Sequence, residues 1–309
     1  LLGRCEIIKS LLCGLLERTR SGRPLFQRKN RESTCYYQIQ KQPFLSGDKF
    51  PVKGETSMQV FNPYLPSWEY VPDGEPHVFG DRVYVYGSHD AFGAPIFCVN
   101  DYVCWSAPVN DLSDWRYEGV IYRSRQDPGN KLGIRSLYAP DVTQFPDGRF
   151  DFMGEMGVAV CDTPAGQYQF YGKVHHRDGK VWGKKSGEQF PFDPGVLTDD
   201  DGRVWLYSGF ATKVPFPASR WHDLRNDGGV VMELERDMVT IKTEPKVLFP
   251  TKGKPGAFPN HAFFEASSIR KVDGKYCFVY SSFGICWAHW LLWRRLTFSF
   301  SIFPQPRKC

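Results

Sequence analysis

One pattern recurs four times along this chain and restricts its fold more than any other feature. Each copy has a short apolar strand, a turn containing Asp and Gly, a basic residue, and then an alternating aromatic strand. The copies are HVFGDRVYVYGS from His77, VTQFPDGRFDFMG from Val142, GVLTDDDGRVWLYSG from Gly195 and SSIRKVDGKYCFVYSS from Ser267. Asp-Gly between β-prone runs signals a hairpin, because Gly takes the positive φ that such turns require. The first copy carries Gly80-Asp81, a weaker form of the same signal. The turn aspartates Asp81, Asp147, Asp201 and Asp273 lie 66, 54 and 72 residues apart. Each interval holds one four-stranded sheet with its loops, and repetition on that scale predicts an all-β propeller.

The repeat also places acids. Glu75 and Asp141 lie six residues before their turn aspartates, and Asp193 and Glu265 lie eight before theirs. The first strand of each propeller blade lines the central channel, so four carboxylates are expected to converge at one mouth of it. Crowded like charges raise one another's pKa, a cost that marks functional sites more often than structural ones. One turn-adjacent acid is a chance placement; four in register are not.

The charge balance divides along the chain. Residues 1–57 hold 11 Lys and Arg against 5 Asp and Glu, and residues 284–309 hold 4 against none. The middle, 58–283, has 24 basic against 29 acidic residues, which argues against nucleic-acid binding. Nine cysteines without a CxxC pair or regular spacing argue against a disulfide scaffold and a zinc site. No apolar run reaches the roughly 18–20 residues that span a bilayer, and Ile7–Leu16 is interrupted by Lys9. Residues 1–57 are expected to form a poorly ordered N-terminal extension foreign to the domain, with the ordered sequence opening at Met58. Counted from Met58 there is no export signal, so a cytoplasmic location is expected. Residues 283–309 read as an atypical aromatic and basic tail.

From Met58 to Ser282 the sequence resembles glycoside hydrolase family 43, the five-bladed propellers that include β-xylosidases, α-arabinofuranosidases and arabinanases. The resemblance rests on four motifs in order: NPYLPSWEYVPDGEPHVFGDRVYVYGSHD, LYAPDV, FDPGVLTDDDGRVWLYSGF and FFEASSIRKVDGKYCFVYSS. It implies an incomplete propeller here, about three blades and the inner part of a fourth, and an open ring is expected to weaken activity. It implies Glu265 as general acid and Asp193 as the group that tunes the acid's pKa and orients it. Glu75, directly before Pro76, is the favoured general base, with Asp73 two residues earlier as the alternative. Asp141 is expected to bind a substrate hydroxyl. The implied reaction is inverting hydrolysis of an oligo- or polysaccharide containing xylose or arabinose, with no cofactor and no dedicated calcium loop.

Further sugar contacts are sought among Trp68, Trp105, Trp182, Trp221 and Phe210, although most propeller aromatics pack between blades. His261, four residues before the acid, is a second polar candidate, weighed equally against a structural histidine. The absence of HExxH or clustered His and Cys argues against a catalytic metal. A carbohydrate-binding propeller without turnover, or a truncated gene product, is the main alternative. The retaining fructan-processing group is disfavoured, since neither its Arg-Asp-Pro nor its Glu-Cys signature occurs.

Overall fold

The computed structural model describes residues 64–154, 156–213, 222–283 and 296–303. The expected extension 1–57 and Trp221 lie outside the described residues. Four antiparallel sheets follow one another along the chain. The first runs β1 (Glu75–Phe79), β2 (Arg82–Tyr86), β3 (Tyr102–Pro108) and β4 (Arg116–Tyr122). The second runs β5 (Asp141–Gln144), β6 (Phe150–Gly154), β7 (Gly157–Cys161) and β8 (Gln169–Lys173). The third runs β9 (Gly195–Thr198), β10 (Val204–Ser208), β11 (Gly228–Leu234) and β12 (Lys246–Pro250). The fourth holds β13 (Phe263–Val272), β14 (Lys275–Phe283) and β15 (Leu296–Phe303).

The repeated motif forms the inner hairpin of every sheet. Phe79 pairs with Arg82 around Gly80-Asp81, and Val272 pairs with Lys275 around Asp273-Gly274. Both Asp273 and Gly274 have positive φ, the type I′ pattern, whereas positive φ falls only on Gly80 of the first pair, the type II′ pattern. The weaker Gly-Asp signal is therefore a different turn with the same outcome. Asp147-Gly148 and Asp201-Gly202 sit in longer turns, closed by Phe145 N–H to Arg149 O and by Asp199 N–H to Arg203 O, each 2.8 Å.

First strands adjoin first strands around the ring, β1 with β5, β5 with β9 and β9 with β13. The core divides accordingly into clusters between neighbouring sheets. Tyr86, Tyr102 and Cys104 of the first sheet pack on Val142, Phe150 and Ala159 of the second. Val158 of the second packs on Val196, Leu206 and Met232 of the third, and Tyr207 and Phe249 of the third pack on Phe263, Phe278 and Tyr280 of the fourth. Inner strands side by side and apolar layers between consecutive sheets are the geometry of propeller blades. The expected fold class holds, with three four-stranded blades and a fourth of three strands among the described residues. Part of the atypical tail joins that fourth blade: residues 296–303 pair with β14 in continuous register from Leu296 opposite Phe283 to Phe303 opposite Tyr276.

Candidate active site

Asp73 and Asp193 precede the first strands of their blades, and Glu265 lies near the start of β13. Each position is locally strained or irregular. Asp73 (φ 56°), Asp193 (φ 47°) and Ala266 (φ 60°) adopt left-handed backbone, which non-glycine residues take at a cost of about 1–3 kcal/mol when the surroundings enforce it. Asp tolerates the conformation better than most residues. The β13–β14 register shifts on both sides of Glu265, between Phe263 and Glu265 and again before Ser268. Such bulges re-aim a side chain that a regular strand would alternate away.

These distortions are pinned by hydrogen bonds. Ser208 Oγ donates to Phe192 O at 2.6 Å and accepts from Phe192 N–H at 2.9 Å, which fixes the backbone just before Asp193. Asp193 Oδ2 accepts from Ala266 N–H at 3.2 Å, so this carboxylate grips the residue next to Glu265. Ser88 Oγ, fully buried, donates to Asp73 Oδ2 at 3.3 Å. Glu265 is half-buried beside Phe263 and Phe264. Its carboxyl is pushed up to about 7, first by burial and then by the negative charge of Asp73. Asp193 was expected to tune the acid's pKa; among the described residues the charge that acts on Glu265 is that of Asp73, while Asp193 holds the neighbouring Ala266 amide.

The four acids expected at the mouth separate into two groups. Glu75 is 5% exposed and already engaged. Its Oε2 accepts from Ser268 Oγ at 2.7 Å and from Arg270 Nη2 at 3.0 Å. Asp73 is exposed and its charge reaches Glu265, whereas the Glu75 carboxylate is taken up by Ser268 and Arg270. Asp141 also departs from its expected role, because it is completely buried. Its carboxylate accepts from Val142 N–H and Val196 N–H, both 2.8 Å, and pairs with His77 Nε2 at 2.6 Å. Burial opposes its ionisation, yet His77, Arg270 and the Val196 amide together hold its carboxyl below the usual range. With both oxygens occupied inside the protein, it presents nothing to a sugar hydroxyl.

Of the aromatic candidates, Phe210 is brought to the site. Its ring lies 4.9 Å from Phe192 and 5.6 Å from Phe264, the residues directly before Asp193 and Glu265. Tyr138, 5.7 Å from Phe192, extends the row on the far side. Trp68 is 65% exposed and packs 6.0 Å from Trp105 of the third strand of the first blade. Trp105 and Trp182 are core residues. His261 accepts from Tyr280 Oη through its carbonyl at 2.8 Å, and its Nδ1 is buried without a partner among the described residues. Ser88, Arg270, His77 and Ser268 were not singled out from sequence. Their one signal was period-2 alternation, which puts Ser268 and Arg270 on the same side of a first strand. Cys98, Cys104, Cys161 and Cys277 are free thiols, and burial pushes Cys98 up to about 12.

Blades packed with their first strands side by side, carrying a half-buried carboxyl on which the charge of an exposed carboxylate acts, define a propeller with a candidate acid–base pair. The chain belongs to glycosyl hydrolases family 43, whose model matches residues 69–295. It is 52% identical over 232 residues to a xylosidase/arabinosidase of Thermoclostridium stercorarium, a match covering 72% of this chain and 47% of that protein. The chain thus spans about half the length of that relative. Xylosidase/arabinosidase 43A of Humicola insolens is 27% identical over 254 residues, covering 69% of this chain and 72% of the relative. Among solved structures, a β-xylosidase/α-arabinofuranosidase from a compost microbial metagenome, in complex with xylotriose, superposes with a TM-score of 0.54. It is 25% identical and the match covers 72% of this chain and 73% of that one. A family 43 enzyme of Xanthomonas citri complexed with xylose gives 0.57 at 21% identity, covering 79% and 72%, and supports the fold.

Proposed function

We propose that this protein hydrolyses O-glycosidic bonds of xylose- or arabinose-containing oligo- or polysaccharides with inversion, Glu265 acting as general acid and Asp73 as general base. The observation that carries this reading is a carboxyl held near neutrality by burial and by the charge of a second, exposed carboxylate. At neutral pH a substantial share of Glu265 is protonated and ready to donate to the departing glycosidic oxygen, and exposed Asp73 supplies the second carboxylate. The base removes a proton from water as that water attacks the anomeric carbon, and the acid delivers its proton to the leaving oxygen as the bond breaks. Inversion requires about 6.5–9.5 Å between the carboxyls, room that side chains from separate blades can leave for the water.

Asp193 holds the Ala266 amide and so orients the acid; the row Tyr138, Phe192, Phe210 and Phe264 offers apolar faces for a sugar ring. The choice of xylose or arabinose as the sugar draws on the named relatives. No cofactor enters the reaction. The Arg270 guanidinium already supplies positive charge to Glu75 and Asp141 inside the channel, so those residues do not fit a divalent cation.

The test is hydrolysis of aryl β-xyloside and aryl α-arabinofuranoside by wild type, Glu265→Gln, Asp73→Asn and Glu75→Gln. Turnover abolished in the first two variants and largely kept in Glu75→Gln supports the assignment. Full activity in Asp73→Asn returns the base to Glu75. Sugar binding without turnover by folded wild type replaces the enzyme with a binding propeller.

A further inference from the structure

One layer below the mouth, side chains from three blades and a backbone amide of the remaining one meet, and the proposed chemistry leaves them without a role. Arg270 lies five residues beyond Glu265 on β13. Its Nη1 donates to Ile269 O at 2.7 Å, which anchors the guanidinium on its own strand. Its Nη2 reaches β1, donating to Glu75 Oε2 at 3.0 Å and to Pro76 O at 2.9 Å. Ser268 Oγ, from the same face of β13, gives Glu75 a second bond at 2.7 Å. Nη2 also lies 3.0 Å from His77 Nε2 and 3.9 Å from Asp141 Oδ1, and Asp141 in turn holds the Val196 amide of the third blade.

Strand pairing does not set the distance between the two proposed catalytic carboxyls. Asp73 precedes β1, whose hydrogen-bonded neighbour is β2, while Glu265 sits on β13, whose neighbour is β14. A separation that must leave room for one water therefore needs another constraint. Arg270, Glu75 and Ser268 supply a direct bridge between these strands, hydrogen-bonded at each end, with Glu75 and Ser268 buried and Arg270 half-buried. A planar guanidinium suits the task because it donates in several fixed directions at once.

We propose that Arg270 is a positioning residue, a strut from β13 to β1 that sets the separation of Glu265 from Asp73. The role rests on the acid–base reading above. Among the described residues the charge that raises the Glu265 carboxyl is that of Asp73. Loosening the strut should therefore weaken the coupling of these two carboxyls and spare the sugar-binding surface.

The experiment follows the Glu265 carboxyl by 13C NMR titration of the full chain labelled at glutamate, the signal being assigned by its loss in Glu265→Gln. Asp73→Asn gives the uncoupled midpoint. Arg270→Ala is expected to move the midpoint from the wild-type value toward that of Asp73→Asn, with Arg270→Lys between. In the same samples kcat should fall about tenfold or more while KM changes little, and millimolar guanidinium should restore part of kcat in Arg270→Ala. Wild-type midpoints in folded Arg270→Ala and Arg270→Lys overturn the proposal. If Arg270→Ala fails to fold, Arg270→Lys decides by the same midpoint. A wild-type chain without turnover sinks the hydrolase reading, whereas the titration still judges the strut.

Discussion

The mouth of the channel and the layer beneath it are built from the same residue type and behave as opposites. At the mouth, burial and the negative charge of Asp73 drive the Glu265 carboxyl toward its neutral form. Beneath, Glu75 and Asp141 share Arg270, His77, Ser268 and two backbone amides, and Asp141 is held ionised. The offset that separates these fates is two residues, from Asp73 to Glu75. A carboxylate supplied with donors is held ionised; a half-buried one next to another negative charge is pushed toward its neutral form.

The contrast can be broken most sharply at the acid. Glu265→Gln should lower kcat by about 10²–10⁴-fold on substrates with poor leaving groups. It should fold as well as wild type by circular dichroism. Beneath the mouth the balance reverses. Glu75→Ala leaves Arg270 without its buried carboxylate and should destabilise the chain by about 3 kcal/mol in urea unfolding. Asp73→Asn, at an exposed position, should stay within about 0.5 kcal/mol of wild type in the same assay. Equal losses in those two variants would erase the distinction between the layers.

The pH dependence of stability sharpens it further. Folding raises the Glu265 carboxyl from 4.5 to about 7, so between those values the folded chain keeps a proton that the unfolded chain has released. Stability from this group is therefore full below 4.5 and is lost as pH rises through 7. Glu265→Gln removes the loss and should gain roughly 2–3 kcal/mol on wild type between pH 4 and pH 8, read from urea midpoints. The smallest effect belongs to the aromatic row. Phe210→Ala should raise KM about 2–10-fold with kcat little changed, the scale of one aromatic contact.

Much of this was legible in the repeat. Asp-Gly punctuation and alternating strands are local signals, and Gly80-Asp81 shows that even a substituted turn keeps the hairpin. The acids at Glu265 and Asp193 were legible through their fixed offset from those turns. Glu75 was favoured over Asp73 because it stands directly before Pro76, but proximity in the chain carries no information about which partner a side chain meets. Arg270, the residue that occupies Glu75, is 195 positions away. Asp141 likewise stands in register with the others, yet His77 and the Val196 amide enclose it.

By itself the sequence determined the repeat of inner hairpins, their turns and the presence of acids near the first strands. Each of these depends on residues close together in the chain, and backbone sterics with a two-residue period suffice to specify them. Only the tertiary structure decided which acids work as catalytic candidates and which hold the channel together. Left-handed backbone at Asp73 and Asp193 and the bulges around Glu265 are set by pairing inside each blade, whereas the charge of Asp73 on Glu265 and the reach of Arg270 arise when distant blades close on one another. A carboxylate's pKa belongs to that assembled environment, because it is set by water excluded and charges brought near.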